Sequence, residues 1–138
     1  MPDAKTNIIW SLLFAISQGN YLLGFDYAVT LAYITKNSTV LDRLNKMREG
    51  VEIKPGVSVP FTYLIHQYSK MKDDNLKQKV KIYTHGRTKV KVTVGDILEG
   101  IRFVNRIVLI SCFEVMESEK ISVDIGDLFK KDPERTSI

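Results

Sequence analysis

The sequence predicts a mainly α fold with a small β portion: an α+β helical bundle carrying a short β-hairpin or sheet, in a single domain over 1–138. Three observations carry this expectation. Apolar residues recur at helical spacing through most of 7–50 and 60–117. The pattern changes to period two over about 51–59, 87–94 and 120–126. Gly, Pro, Asn and Asp mark the junctions. With 138 residues, 44% of them apolar and 26% charged, the chain is long enough to bury a core without staples.

The first helix is expected from Asn7 to Ser17, with Thr6 or Asn7 as N-cap. Ile8, Ile9, Trp10, Leu12, Leu13, Phe14 and Ile16 leave it almost no polar face, which asks for burial by its own domain or by a partner. Ser17-Gln18-Gly19-Asn20 reads as a helix end and turn. A second helix is expected over Tyr21–Lys36, interrupted or started late near Gly24. Ser38 caps a third, with Val40, Leu41, Leu44 and Met47 as its stripe and Gly50 as its stop. Val51 to Val59 alternates around Pro55-Gly56, as a short hairpin or extended loop does. Pro60 opens the next helix as its first residue, with Phe61, Leu64, Ile65, Tyr68 and Met71 inward.

Asp73 or Asp74 then caps a helix that buries Leu76, Val80 and Tyr83, turns Lys77, Lys79 and Lys81 outward, and stops at His85-Gly86. Arg87 to Val94 alternates as a half-buried strand, with Val90, Val92 and Val94 on one face and Lys89, Lys91 and Thr93 on the other. Gly95-Asp96 begins the longest helix, to about Glu117, and Ile121, Val123 and Ile125 form a last strand. Residues 130–138 read as a frayed tail.

Ile8 to Ile34 carries one charge, Asp26, and is long enough to test against a bilayer. The turn at Ser17–Asn20 divides it into two helices too short to cross separately, so a core helical hairpin is expected and no membrane partner. No basic n-region precedes the run, and no small-residue cleavage site follows it. A single cysteine, Cys112, excludes an internal disulfide and suits a reducing, cytoplasmic interior. Its apolar surroundings predict a buried thiol; a Cys112–His nucleophile is the alternative.

Catalytic equipment is sparse. There is no Walker-type loop and no dinucleotide fingerprint. His66, His85 and Cys112 do not make a zinc-ligand spacing. Asp73-Asp74 reads as a cap or as metal ligands, and Asp124 and Asp127 around Gly126 as a turn or an acid pair. The expectation is no enzyme, no cofactor and no metal.

The charge distribution is more informative. Lys70 to Lys91 contains Lys70, Lys72, Lys77, Lys79, Lys81, Arg87, Lys89 and Lys91 against Asp73 and Asp74, a net of +6 in a chain of net +4. A basic segment in an otherwise balanced chain is the footprint of a polyanion site, nucleic acid above all; a solvated face is the bland reading. "THGRTK" at the turn could give N–H groups and an Arg fork to a phosphate, or be a plain helix stop. Tyr63, Tyr68 and Tyr83 offer stacking or core packing. Within Lys70–Lys91, Lys outnumbers Arg seven to one, which favours contact with a sugar–phosphate backbone over base reading.

The strings "NIIWSLLFAI", "GNYLLGFDYAVTLAYITKN" and "VPFTYLIHQYSKMKDDNLKQKVKIYTHGRTKVKVTVGDILEGIRFV" resemble the small subunit of the archaeal type I-A CRISPR surveillance complex, the archaeal Cascade of antiviral defence. The likeness covers about residues 7–128 and rests on the whole string, with no short motif. It implies a mainly helical, non-catalytic subunit beside backbone and large subunits, near the guide RNA–target DNA duplex or the displaced strand. Self-association is a further expectation. Two alternatives stand beside it: a purely structural interaction subunit, and a winged-helix-like DNA-binding regulator, which would need an Arg- or Asn-bearing recognition helix where Leu76–Tyr83 is short and Lys-rich.

Overall fold

A side-chain amide opens the second and third helices. The computed structural model describes residues 4–74, 81–85 and 88–122. Asn20 Oδ1 accepts from the Leu23 N–H at 3.3 Å and starts α2, Tyr21–Ile34, which follows α1, Ala4–Ser17. Asn37 Oδ1 accepts from the Val40 N–H at 3.2 Å and starts α3, Ser38–Glu49. The α3 cap is therefore Asn37, not Ser38, and α2 runs through Gly24 unbroken. Ser38 is already the first helical residue, so the residue before it holds the capping position, and its side-chain oxygen reaches a free N–H of the first turn.

The remaining elements are β1, Val51–Lys54; β2, Val57–Val59; α4, Phe61–Asp74; β3, Lys81–His85; β4, Thr88–Val92; and α5, Val94–Ser118. The fold is mainly helical with a small antiparallel β portion, as the sequence predicts. Among the described residues, no helix is long and apolar enough to cross a membrane.

The chain divides into two compact units, residues 1–45 with 105–138, and residues 46–104. The division falls inside α3 and α5. In unit 1, α1 and α2 form a hairpin around Ile9, Leu12, Leu13, Phe25, Ala28 and Leu31, all buried. Gly24 lies close under α1: a Cβ there would stand 2.6 Å from Ile16 Cδ1, so that side chain would have to shift. Val40 and Leu44 of α3 and Val108, Cys112 and Val115 of α5 are also buried in this unit. Arg43 Nη1 donates to Glu114 Oε2 at 3.1 Å and to the Ser111 hydroxyl at 3.2 Å, joining α3 to α5. Lys5 Nζ pairs with Glu119 Oε1 at 2.8 Å and joins α1 to the residue after α5.

In unit 2, β1 and β2 pair as an antiparallel hairpin with Val51 opposite Val59, both buried. Gly56 takes φ +77° in the Pro55-Gly56 turn, a conformation costly for any residue with a Cβ. Pro60 stands just before α4, and its carbonyl accepts from the Tyr63 and Leu64 N–H groups. Phe61 and Leu64 face the core, and Leu64 and Ile53 lie against Gly100 of α5.

Two expectations fail at β3 and at the chain's last described stretch. Lys81–His85 is a strand, so the expected helix does not include Lys81 to Tyr83; residues 75–80 lie outside the described residues. Asp73 and Asp74 sit in the last turn of α4. The run Lys81-Ile82-Tyr83-Thr84 suits a pleated strand, and pairing with Thr88–Val92 prevails over a three-residue helical stripe. Ile121 is not in a strand. Its N–H donates to the Met116 carbonyl at 2.8 Å and closes α5; residues 123–126 lie outside the described residues.

Candidate nucleic-acid interface

All eight basic residues of the Lys70–Lys91 segment belong to unit 2. That unit has twelve Lys and Arg against six Asp and Glu, whereas unit 1 has eight against ten. The net positive charge of the protein therefore lies in unit 2.

Lys89 and Lys91 are held by β4. The β3–β4 register pairs Lys81 with Val92, Ile82 with Lys91, Tyr83 with Val90, Thr84 with Lys89 and His85 with Thr88. Successive strand residues alternate between faces. Val92 is fully buried, and Lys89 and Lys91 are exposed, as that alternation requires. Two residues of strand separate the lysines by roughly 7 Å. Their cross-strand partners, Thr84 and Ile82, are uncharged. Among the described residues neither lysine pairs with a carboxylate.

The other predicted cations are placed as follows. Lys70 is exposed on α4, and Lys72 lies one half-turn further along the same helix. Lys81 occupies the register position of Val92, alternate to that of Lys89 and Lys91. Lys77, Lys79 and Arg87 lie outside the described residues, as does Gly86 of the proposed phosphate loop. The structure thus brings Lys89 and Lys91 together and sets Lys81 at the opposite parity.

The N-terminus of α5 fixes where β4 ends. Thr93 Oγ1 accepts from the Asp96 N–H at 3.1 Å, and Asp96 Oδ2 accepts from the Thr93 N–H at 3.0 Å. This reciprocal box satisfies two otherwise free donors. Lys54 Nζ, on β1, lies 3.1 Å from the same Asp96 oxygen. Burial raises the Asp96 carboxyl, but the bonds from Thr93 and Lys54 outweigh it and hold the group below the usual carboxylate range. The carboxylate is therefore a structural anion that ties both hairpin regions of unit 2 to α5.

Elsewhere the chemistry is quiet. Cys112 is buried with its Sγ 3.9 Å from Met116 Sδ, and burial pushes its thiol up to about 12. A thiol so placed is almost wholly protonated at neutral pH and is a poor nucleophile. His66 is exposed on α4. Among the described residues no three His, Cys, Asp or Glu side chains converge as metal ligands.

The sequence reading missed one surface feature. Leu22, Leu23 and Tyr33 of α2 and Ile110 and Phe113 of α5 are exposed in unit 1. The α5 pair falls with Phe103 at positions 103, 110 and 113, which interleave with the core stripe and do not stand out in the sequence. No family model matches the chain, and no curated protein or solved structure matches it either.

Proposed function

We propose that this chain is a non-catalytic subunit of an RNA-guided CRISPR effector complex of the archaeal type I-A kind, and that unit 2 meets sugar–phosphate backbone. The observation that carries the reading is the outward pair Lys89 and Lys91, unpaired among the described residues, in a unit of net +6. Guide-directed recognition leaves sequence reading to base pairing and asks protein for a cationic surface. Lysines on a strand suit that division, because an ammonium meets a phosphate as a point charge and does not read bases.

The test is a salt titration of binding to single-stranded DNA and to an RNA–DNA duplex. With about four phosphate contacts, log affinity falls against log salt with a slope of roughly −3 to −4. Lys89→Glu/Lys91→Glu shallows that slope by about two. An unchanged slope, or no salt-dependent binding, sinks the proposal. Purification of the native protein supplies the second arm: co-purifying CRISPR subunits with a short guide RNA are expected.

The exposed apolar side chains of unit 1 favour a second reading, a purely structural interaction subunit. Partner proteins without RNA, and assembly lost on charge reversal, would select it.

A further inference from the structure

We infer that the outer face of α5 is a self-complementary surface through which two copies of this chain pair as an antiparallel, two-fold dimer. Within unit 1, α5 exposes Arg106, Ile110, Phe113 and Glu117. Their spacings are four, three and four residues, which keeps them on one stripe of the helix. Ile110 is 42% and Phe113 41% exposed, while the opposite face of the same helix already fills the core with Val108, Cys112 and Val115.

The stripe reads cation, apolar, apolar, anion. A second copy laid antiparallel reads anion, apolar, apolar, cation. With the two-fold axis midway between positions 110 and 113, Ile110 of each copy meets Phe113 of the other, and Arg106 meets Glu117. Each pairing occurs twice, as an isologous interface requires.

Other registers are worse. Sliding one copy by seven residues sets Arg106 against Ile110, or Glu117 against Phe113, and buries a charge without a partner. Parallel pairing sets Arg106 against Arg106 and Glu117 against Glu117. Among the described residues Arg106 and Glu117 have no ion pair within the chain, so both are available. The neighbouring Glu114 is already engaged by Arg43. A dimer carries two copies of unit 2, which strengthens attachment to a long polyanion without any new contact. The pairing itself does not depend on nucleic acid.

Sedimentation equilibrium of the full chain tests this inference. The wild type is expected to dimerise, and Ile110→Ser/Phe113→Ser to be monomeric. Arg106→Glu and Glu117→Arg alone each weaken the dimer by about tenfold. Mixing these two variants recovers wild-type affinity, because each supplies the charge the other has lost. Placing both exchanges in one chain recovers it as well. Both exchanged positions are solvent-exposed, so circular dichroism should show unchanged helix content. A wild-type chain that stays monomeric at about millimolar concentration, or a dimer indifferent to these exchanges, overturns the inference.

Discussion

Unit 1 and unit 2 differ in what they leave to solvent. Among the described residues, five of the six exposed large apolar side chains, all but Phe103, lie in unit 1, whereas the net positive charge lies wholly in unit 2. The cause is the way each unit buries its core. Unit 1 is built from helices, and α1 and α2 are apolar nearly all round, so one packed face uses only part of their hydrophobic surface. Unit 2 includes two-stranded hairpins, whose alternation gives β4 one inward residue for each outward one. Lysine at outward positions also protects an exposed edge against pairing with other chains. That protective role predicts no salt-dependent binding, which is why the slope measurement separates it from a phosphate-binding one. On the proposed function, protein association belongs to unit 1 and polyanion contact to unit 2.

The largest expected effect tests whether the two cores are independent. Phe25 and Phe61 are each 1% exposed, in unit 1 and unit 2 respectively. Phe25→Ala and Phe61→Ala should each cost about 3–5 kcal/mol. Amide hydrogen exchange shows where that cost falls. If the units are separate cooperative bodies, Phe25→Ala lowers protection in α1 and α2 and spares the β1–β2 hairpin, and Phe61→Ala does the reverse. Equal loss everywhere breaks the comparison and makes the protein one cooperative body.

Asp96 gives a smaller effect, specific to unit 2. Asp96→Ala removes the acceptor for the Thr93 N–H and the partner of Lys54, whose side chain is 48% exposed. The exposed pair adds little, so the expected loss is about 1–2 kcal/mol, mostly from the cap. The sign with pH follows from the lowered carboxyl. A carboxylate depressed by folding stabilises at neutral pH, and that contribution is lost as pH falls through its folded-state value. Urea unfolding should therefore separate wild type from Asp96→Ala at pH 7 and bring them together in strong acid. A gap that widens on acidification contradicts the assigned contacts.

Much of this division is legible in the residues. Ser17–Asn20, Pro55-Gly56 and Gly50 punctuate the chain where the elements do change. The alternation of Val92 with Lys89 and Lys91 correctly gives the outward face of β4. The β3 strand was not legible, because Leu76, Val80 and Tyr83 satisfy a helical period while Lys81–Thr84 satisfies a strand, and the choice is made by a partner strand. Lys81 was consequently grouped with Lys89 and Lys91, although pairing places it at the Val92 position. The exposed stripe of α5 was hidden for a different reason. Phe103, Ile110 and Phe113 interleave with the core stripe, and composition cannot say which apolar face of a long helix is covered.

The smallest effect concerns how unit 1 ends its helices. The Asn20 N–H donates to the Ala15 carbonyl at 2.8 Å, the Asn37 N–H to Ala32 at 3.0 Å, and the Ile121 N–H to Met116 at 2.8 Å. Each is the long bond of a Schellman cap, with the preceding residue in the left-handed region: Gly19 at φ +75°, Lys36 at +57° and Lys120 at +56°. Glycine adopts that region without a Cβ penalty, and lysine does not. Lys36→Gly should raise stability by about 0.5–1 kcal/mol, after the lost attraction of the ammonium for the helix C-terminus is discounted. Gly19→Ala should lower it by about 1 kcal/mol. Thermal unfolding reads both as shifts of a few degrees in opposite directions. Because Lys36 and Gly19 both belong to unit 1, neither change should alter the salt slope of nucleic acid binding. A slope altered by Lys36→Gly would mean that cations of unit 1 share the polyanion, and the partition of roles between the units would fail.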